Sequence, residues 1–402
     1  MKKIFVIFGI LVVAIMLLTT FTGVALAQDD PDPAATPIES DIEEAQSYYE
    51  RGFELYEQGE YELAIEDFDR AIELDPEHAQ AYNNRGFVYY ALGDYEQALT
   101  DFNHSIEIDP QLAATYINRG NVLKRFGEYE QAMEEFDYAI ELDPELTLAY
   151  IDRGLAYFEQ GEYQKAITDY THAIELDPQL AAIYYNRGLA FSDLGEYEKA
   201  ITDYTHAIEL NPQDVSSYYG RGLAYGTLGE FEQSLKDFDQ IIEIDPQFIP
   251  VYNDRGLSYF YLGEYKLAIE DFDQAIELDP ENILAYSNRG WVYYNLDEYE
   301  QAIADYDRVI DIDSQSAGTY FNRGIAYAMQ GRYEQALTDT DIAVELNPEL
   351  ADAFAFRGLL YYYIYSDNEH ALADFHEYER LTGYLRPDIV EIVEELEAEL
   401  GD

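Results

Sequence analysis

An Arg-Gly dipeptide recurs along this chain at a fixed step. It stands at Arg51-Gly52, Arg85-Gly86, Arg119-Gly120, Arg153-Gly154, Arg187-Gly188, Arg221-Gly222, Arg255-Gly256, Arg289-Gly290, Arg323-Gly324 and Arg357-Gly358. Every step is 34 residues, and the ten copies never slip. A period of that length means supersecondary units that bury their apolar faces on one another. The chain therefore folds as an array rather than around one closed core.

Residues 81 to 110 (AYNNRGFVYYALGDYEQALTDFNHSIEIDP) show what one unit contains. Tyr82, Gly86 and Tyr89 fall at helical spacing and mark one face of a first helix. Gly93 follows where a helix needs a residue that tolerates positive φ. Tyr95, Ala98, Leu99, Phe102, Ser105 and Ile106 recur at three and four residues and predict a second helix. Pro110 stops it, because the residue before a proline is pushed out of the α region. Gly86 and Ala98 lack bulk, so the two backbones can approach closely, and Phe102 fills the space beside them.

With Tyr82, Gly86, Tyr89, Ala98, Phe102 and Pro110 at these spacings, the chain resembles the tetratricopeptide repeat (TPR) family. One position departs: Arg85 stands where the family pattern has leucine. The resemblance covers about residues 45 to 385. It implies an all-α fold, a TPR α-solenoid forming a right-handed superhelix of about ten helix pairs. The repeats run 45–78, 79–112, 113–146, 147–180, 181–214, 215–248, 249–282, 283–316, 317–350 and 351–385. Repeat eight has Asp297 for the turn glycine and Ser314 for the proline. In repeat ten, Tyr365 takes the turn-glycine place, the register slips by one at Ala371, and Gly383 replaces the proline. Residues 386–402 contain an amphipathic stretch in which Ile389, Val393, Leu396 and Leu400 make one stripe. It reads as a capping helix, since a terminal repeat must hide its apolar face from water.

The first 27 residues follow another logic. Lys2 and Lys3 precede an apolar run from Ile4 to Leu18, and Ala25-Leu26-Ala27 is a small-x-small cleavage site. This is the layout of a secretory signal peptide, and it predicts export across the cytoplasmic membrane to the periplasm, cell envelope or medium. The alternative is an uncleaved anchor, because Ile4 to Ala27 carries no charge. Residues 28–44 form an acidic, proline-rich linker expected to be a disordered spacer.

The formal net charge is −59. Such a field repels phosphates and excludes nucleic-acid binding, and it speeds encounter with basic partners. Either partner choice or a salt-rich habitat would select it. The chain has no cysteine, so disulfides, thiolate nucleophiles and Cys-ligated metals are excluded. His104, His172 and His206 occupy equivalent places in separate second helices and do not converge on one ion. No phosphate-binding glycine loop and no isolated carboxylate pair is evident. The reading is a non-enzyme with no cofactor and no metal.

The repeated arginine needs a partner. Arg85 shares a stripe with Ala81, Val88 and Leu92, which places its stem half buried between helices. Almost every repeat has an acid sixteen residues on, so Arg187 is expected to pair with Asp203 within an internal ladder. The residue before the arginine is Asn84, Asn118, Asn186, Asn288 or Asn322 in five repeats, and Asp152 or Asp254 in two others. The TPR resemblance implies that this side lines a concave groove, where the family's asparagines hold extended peptides. In repeat three Asn118 and Asn121 lie beside Lys124 and Arg125, a cationic island in an acidic chain. Tyr185, Tyr219 and Phe321 are the expected specificity contacts. The function expected is a non-catalytic, exported scaffold that binds protein or peptide segments, basic or unstructured ones. Once the signal is cleaved, no membrane insertion follows. A polysaccharide-binding solenoid and a purely structural spacer are the alternatives. The partner, the pathway and the oligomeric state are not encoded in anything this sequence displays.

Overall fold

The computed structural model describes residues 37–400, which form twenty-one α-helices and one short π-helical segment. Among the described residues there is no strand. The expected signal peptide at 1–27 and most of the expected spacer lie outside them. The first helix, Pro37–Glu57, begins inside the stretch expected to be spacer up to residue 44. Proline suits a helix start, because the N–H it lacks would have had no helical partner there.

Repeat two sets the pattern. Its first helix runs Ala79–Leu92 and ends on Gly93, whose φ is +83°. Its second runs Tyr95–Ile108 and ends on Asp109 at φ −129° and ψ 92°, the extended geometry that Pro110 demands. Asp109 also folds the connection: its Oδ1 accepts from the Gln111 backbone N–H at 3.0 Å. The two helices meet where glycine makes room. A Cβ on Gly86 would stand 2.9 Å from the Phe102 ring and 3.0 Å from the Asp101 Cβ. Phe102 and its equivalents Phe68, Phe136, Tyr170, Tyr204, Phe238, Phe272, Tyr306 and Phe375 are fully buried, each ring contributing about 2–3 kcal/mol. Repeat nine carries Thr340 at that place, likewise buried, with its hydroxyl donating to the Ala336 carbonyl at 2.7 Å.

The irregular repeats are absorbed locally. Asp297 takes the turn-glycine place at φ +61°. Ser314 does not open the following turn, because Asp313 Oδ1 still accepts from the Gln315 N–H at 3.0 Å. In repeat ten the slip of one residue is taken up by a π-helical turn at Tyr361–Tyr365, and Ser366 supplies the left-handed residue at φ +53°. A π turn accommodates one extra residue, so the following helix keeps its face. The capping helix, Pro387–Leu400, buries Ile389, Ile392, Val393 and Leu396 against Phe375 and Tyr378. Leu400, expected in the buried stripe, is exposed, and Ile392 takes its place.

The chain divides into two compact units, one ending at Ala224 and the other beginning at Tyr225. Within each, every helix pair packs on the next; first helices of successive repeats also touch from Pro37–Glu57 to Ala181–Asp193 in the first unit and between Ile249–Tyr261 and Ile283–Asn295 in the second, and the side they share is the first-helix wall.

Candidate functional site: the first-helix wall

Two strips of polar residues run along the first helices, and the structure gives them different roles. On one strip stand the repeated arginines. Arg187 Nε and Nη2 donate to Asp203 at 2.7 and 2.8 Å, the partner expected sixteen residues on. Arg85 does the same to Asp101 at 2.8 and 2.6 Å, and Arg119 reaches Glu135 at 2.7 Å. In repeat ten the partner is Asp374, seventeen residues from Arg357, because of the π turn. These acids are almost wholly buried and the guanidiniums mostly so. The Asp169 hydrogen bonds hold the Arg153 guanidinium protonated above the ordinary arginine range, against the opposing effect of its burial.

A second partner lies sixteen residues before each arginine from Arg85 onward, on the preceding repeat. Arg85 Nη1 donates to Asp69 at 2.5 Å, Arg153 to Asp137 at 2.5 Å, Arg255 to Asp239 at 2.6 Å, and Arg357 to Asp341 at 2.7 Å. The same arm meets Asn103 from Arg119, Thr171 from Arg187 and Thr205 from Arg221. Each guanidinium also lies over the ring three residues before it, as Arg85 over Tyr82 at 5.5 Å. The arginine is thus a staple between repeats, with its charge consumed inside the fold. Sequence reading found the acid within the repeat and missed the one before it. The recurrence of Asp69, Asp137, Asp239, Asp273, Asp307 and Asp341 was the available signal.

The other strip carries the expected groove residues, and in the first unit they are closed upon themselves. Asn84 is fully buried and donates to the Tyr49 hydroxyl at 3.2 Å while accepting from Asn83 at 3.0 Å. Asn118 donates to Asn83 Oδ1 at 3.0 Å, and Asn121 to Asp152 at 2.7 Å. Burial raises the Asp152 carboxyl to about 6, against the pull of nearby Lys124 and the Asn121 hydrogen bond. The cationic island is also spent: Lys124 lies 3.7 Å from Glu159, and Arg125 Nε meets the Tyr90 hydroxyl at 3.3 Å. Asn186, Tyr185 and Tyr219 are buried, with the Tyr185 ring 5.9 Å from that of Tyr204. A continuous row of accessible asparagines, with Tyr185 and Tyr219 beside it, is therefore not what the first unit presents. A helix spacing places residues on one face, but only the neighbouring helix decides whether that face is open.

The second unit leaves two places of its strip open. Asn288 and Asn322 are partly exposed, and neither side chain makes a hydrogen bond among the described residues. Phe321 is half-buried with its ring edge-on to Phe356 at 5.9 Å. Trp291 is 44% exposed and stacks on Tyr294, ring centroids 5.6 Å apart and planes 14° from parallel. These two rings line a cavity of about 100 Å³ together with Tyr306, Asn322 and Ile325. Sequence reading missed Trp291, the only tryptophan of the chain. Among the described residues no group of His, Asp and Glu could hold a metal ion, and no helix is long and apolar enough to cross a membrane.

Comparison with known proteins adds the family. A model described as TPR repeat matches residues 52–93, 125–161, 154–195, 190–229, 256–297 and 292–331, more than half of the chain. One described as tetratricopeptide repeat matches 79–112, 215–248 and 317–350. Among solved structures, a tetratricopeptide repeat protein from Parabacteroides merdae is 22% identical with a TM-score of 0.50, covering 62% of this chain and 98% of its own. YrrB, a TPR protein with an unusual peptide-binding site, is 28% identical with a TM-score of 0.42, covering 46% of this chain and 95% of its own. MamA is 28% identical with a TM-score of 0.39, covering 40% of this chain and 95% of its own. No curated protein matches the chain.

Proposed function

The chain belongs to the tetratricopeptide repeat family, and from that premise we propose that it is a non-catalytic scaffold that binds an extended peptide on the first-helix wall of its second unit. The observation that carries this reading is the pair Asn288 and Asn322. They occupy the same place in successive repeats, both are partly exposed, and neither amide is engaged within the fold. An amide side chain offers one acceptor and two donors, so each can pair with the N–H and C=O of one peptide unit. Their 34-residue separation puts one such group per repeat, which suits a chain running along the wall.

Each hydrogen bond is worth about 0.5–1.5 kcal/mol net, so the affinity is modest and shared among contacts. The net charge of −59 favours basic, unstructured partners. The test is calorimetric titration with a library of unstructured peptides. Asn288→Ala combined with Asn322→Ala weakens binding while circular dichroism stays unchanged. Undiminished affinity in that double variant sinks the reading, and failure of every peptide to bind leaves a structural spacer.

We also propose that the protein works outside the cytoplasmic membrane, on the strength of the Lys2-Lys3 start, the apolar run and the Ala25-Leu26-Ala27 site. Intact-mass measurement on native protein tests this: a mature chain begins at Gln28, and retention of residues 1–27 makes the scaffold a membrane-tethered one.

A further inference from the structure

The cavity beside Asn322 has a composition that selects its occupant. Trp291 and Tyr294 form one wall as a stacked, partly exposed pair. Tyr306 lines it as well; its residue is 1% exposed, yet its hydroxyl makes no hydrogen bond among the described residues. Asn322 adds an amide with no partner in the fold. Three aromatic residues and Ile325 thus make a mostly apolar wall, with the Tyr306 hydroxyl and the Asn322 amide as its polar groups.

We propose that this cavity receives an arginine side chain of a bound basic peptide, an assignment that rests on the peptide-binding reading above. The ring faces of Trp and Tyr carry the negative part of their quadrupole and attract a cation laid against them. A guanidinium is planar and can stack on a pair of rings only 14° from parallel while pointing N–H groups sideways. Asn322 Oδ1 and the Tyr306 hydroxyl oxygen are acceptors for those donors.

Charge complementarity points the same way. Asp297, whose Oδ1 accepts from the Tyr299 hydroxyl at 2.5 Å, belongs to the aromatic cluster through the Tyr294–Tyr299 contact at 5.7 Å. The chain already seats its own guanidiniums on aromatic rings, as Arg289 over Tyr286 at 5.5 Å and Arg323 over Tyr320 at 5.4 Å. Among the described residues no lysine or arginine lies over Trp291 or Tyr294. The inner rings offer to a partner what the outer rings offer to the fold.

Trp291 is the only tryptophan, so tryptophan emission, excited at wavelengths the forty tyrosines do not absorb, reports on this cavity. The probe is a glycine–serine peptide with arginine at every third position. Its twin carries citrulline, the neutral isostere, at the same positions. Arginine peptide shifts or quenches Trp291 emission and binds roughly tenfold more tightly than the citrulline twin. Tyr306→Phe keeps the tryptophan and the ring, and removes most of that difference while circular dichroism stays unchanged. Equal binding of the two peptides with unmoved emission overturns the arginine assignment and leaves peptide binding standing. Failure of both peptides to bind overturns the arginine assignment, and the peptide reading falls with it only when the library of unstructured peptides fails as well. A response to a neutral oligosaccharide with none to the arginine peptide also overturns it, and makes the cavity a sugar site.

Discussion

The two units build the same strip of the same helix and use it in opposite ways. In the first, Asn83, Asn84, Asn118, Asn121 and Asp152 are buried and hydrogen-bonded to one another or to Tyr49. In the second, Asn288 and Asn322 stand at the places of Asn84 and Asn118 with no bond in the fold, beside an exposed Trp291. The difference lies in the neighbours. Asn83 sits between Asn84 and Asn118 and links them, whereas Ser287 stands at its place before Asn288 and Phe321 before Asn322. A shorter or aromatic neighbour leaves the amide unbonded. An identical residue at an identical repeat position is thus structural in one unit and available in the other.

The staples differ too, and breaking them has the largest effect. Arg289 holds Asp305 at 2.6 and 2.9 Å and also Asp273, so Arg289→Leu strands the buried Asp305 carboxylate and removes the ion pair of the half-exposed Asp273. Arg187 holds Asp203 and the neutral Thr171 hydroxyl, so Arg187→Leu strands one. Both guanidiniums are 18% exposed, which places the losses at or below the low end for a buried pair. The expected loss is about 3 kcal/mol for Arg289→Leu and about 1 kcal/mol less for Arg187→Leu. Denaturant melts of the two variants check this, and equal losses would show that the partner on the preceding repeat carries no weight.

The closed strip carries a pH signature. The Asp152 carboxyl is raised from 3.8 to about 6, chiefly by burial. Between those values the folded state holds a proton that the unfolded chain has released. The stability it supplies is therefore full below about pH 4 and is lost as pH rises through 6, by about 3 kcal/mol in all. Asp152→Asn keeps the shape and removes the titration. The difference in melting temperature between the native chain and this variant should grow from pH 4 to pH 7. A difference that stays flat would mean that Asp152 is ionised throughout.

Single asparagines sharpen the contrast further. Asn84→Ala leaves the Tyr49 hydroxyl and the Asn83 amide without their bonds and costs about 1–2 kcal/mol of stability, with no direct effect on a bound peptide. Asn322→Ala leaves stability within about 0.5 kcal/mol and lowers peptide affinity. Thermal melts and titrations on both variants read the two columns at once. A stability loss at Asn322 matching that at Asn84 would erase the distinction between the units.

The smallest effect is local. Asp297 takes the left-handed place that glycine holds at Gly59, Gly93, Gly127, Gly161, Gly195, Gly229, Gly263 and Gly331. Asp297→Gly relieves that backbone conformation and should stabilise the second unit by up to about 1 kcal/mol, less the lost bond to Tyr299. Denaturant midpoints measure it. A loss of stability would mean that the Asp297–Tyr299 hydrogen bond outweighs the strain.

Much of this architecture is written in one dimension. The 34-residue period, the Gly86–Phe102 pairing and the Pro110 stop follow from local rules: helical spacing, close approach at glycine and the restriction before proline. The acid that follows each arginine, sixteen residues on in all repeats but the tenth, was legible for the same reason, since it lies within one helix pair. What lay beyond one pair was not legible. The partner sixteen residues before the arginine, the closure of Asn84 and Asn118, and the burial of Tyr185 and Tyr219 all depend on the adjoining repeat. The opening between Trp291 and Asn322 depends on it as well. The unit and its repetition could be read from the residues alone, because they rest on contacts between residues close in the chain. The tertiary structure alone decided which asparagines are free to act, because a side chain on a helix face is buried or open according to what the next helix sets against it.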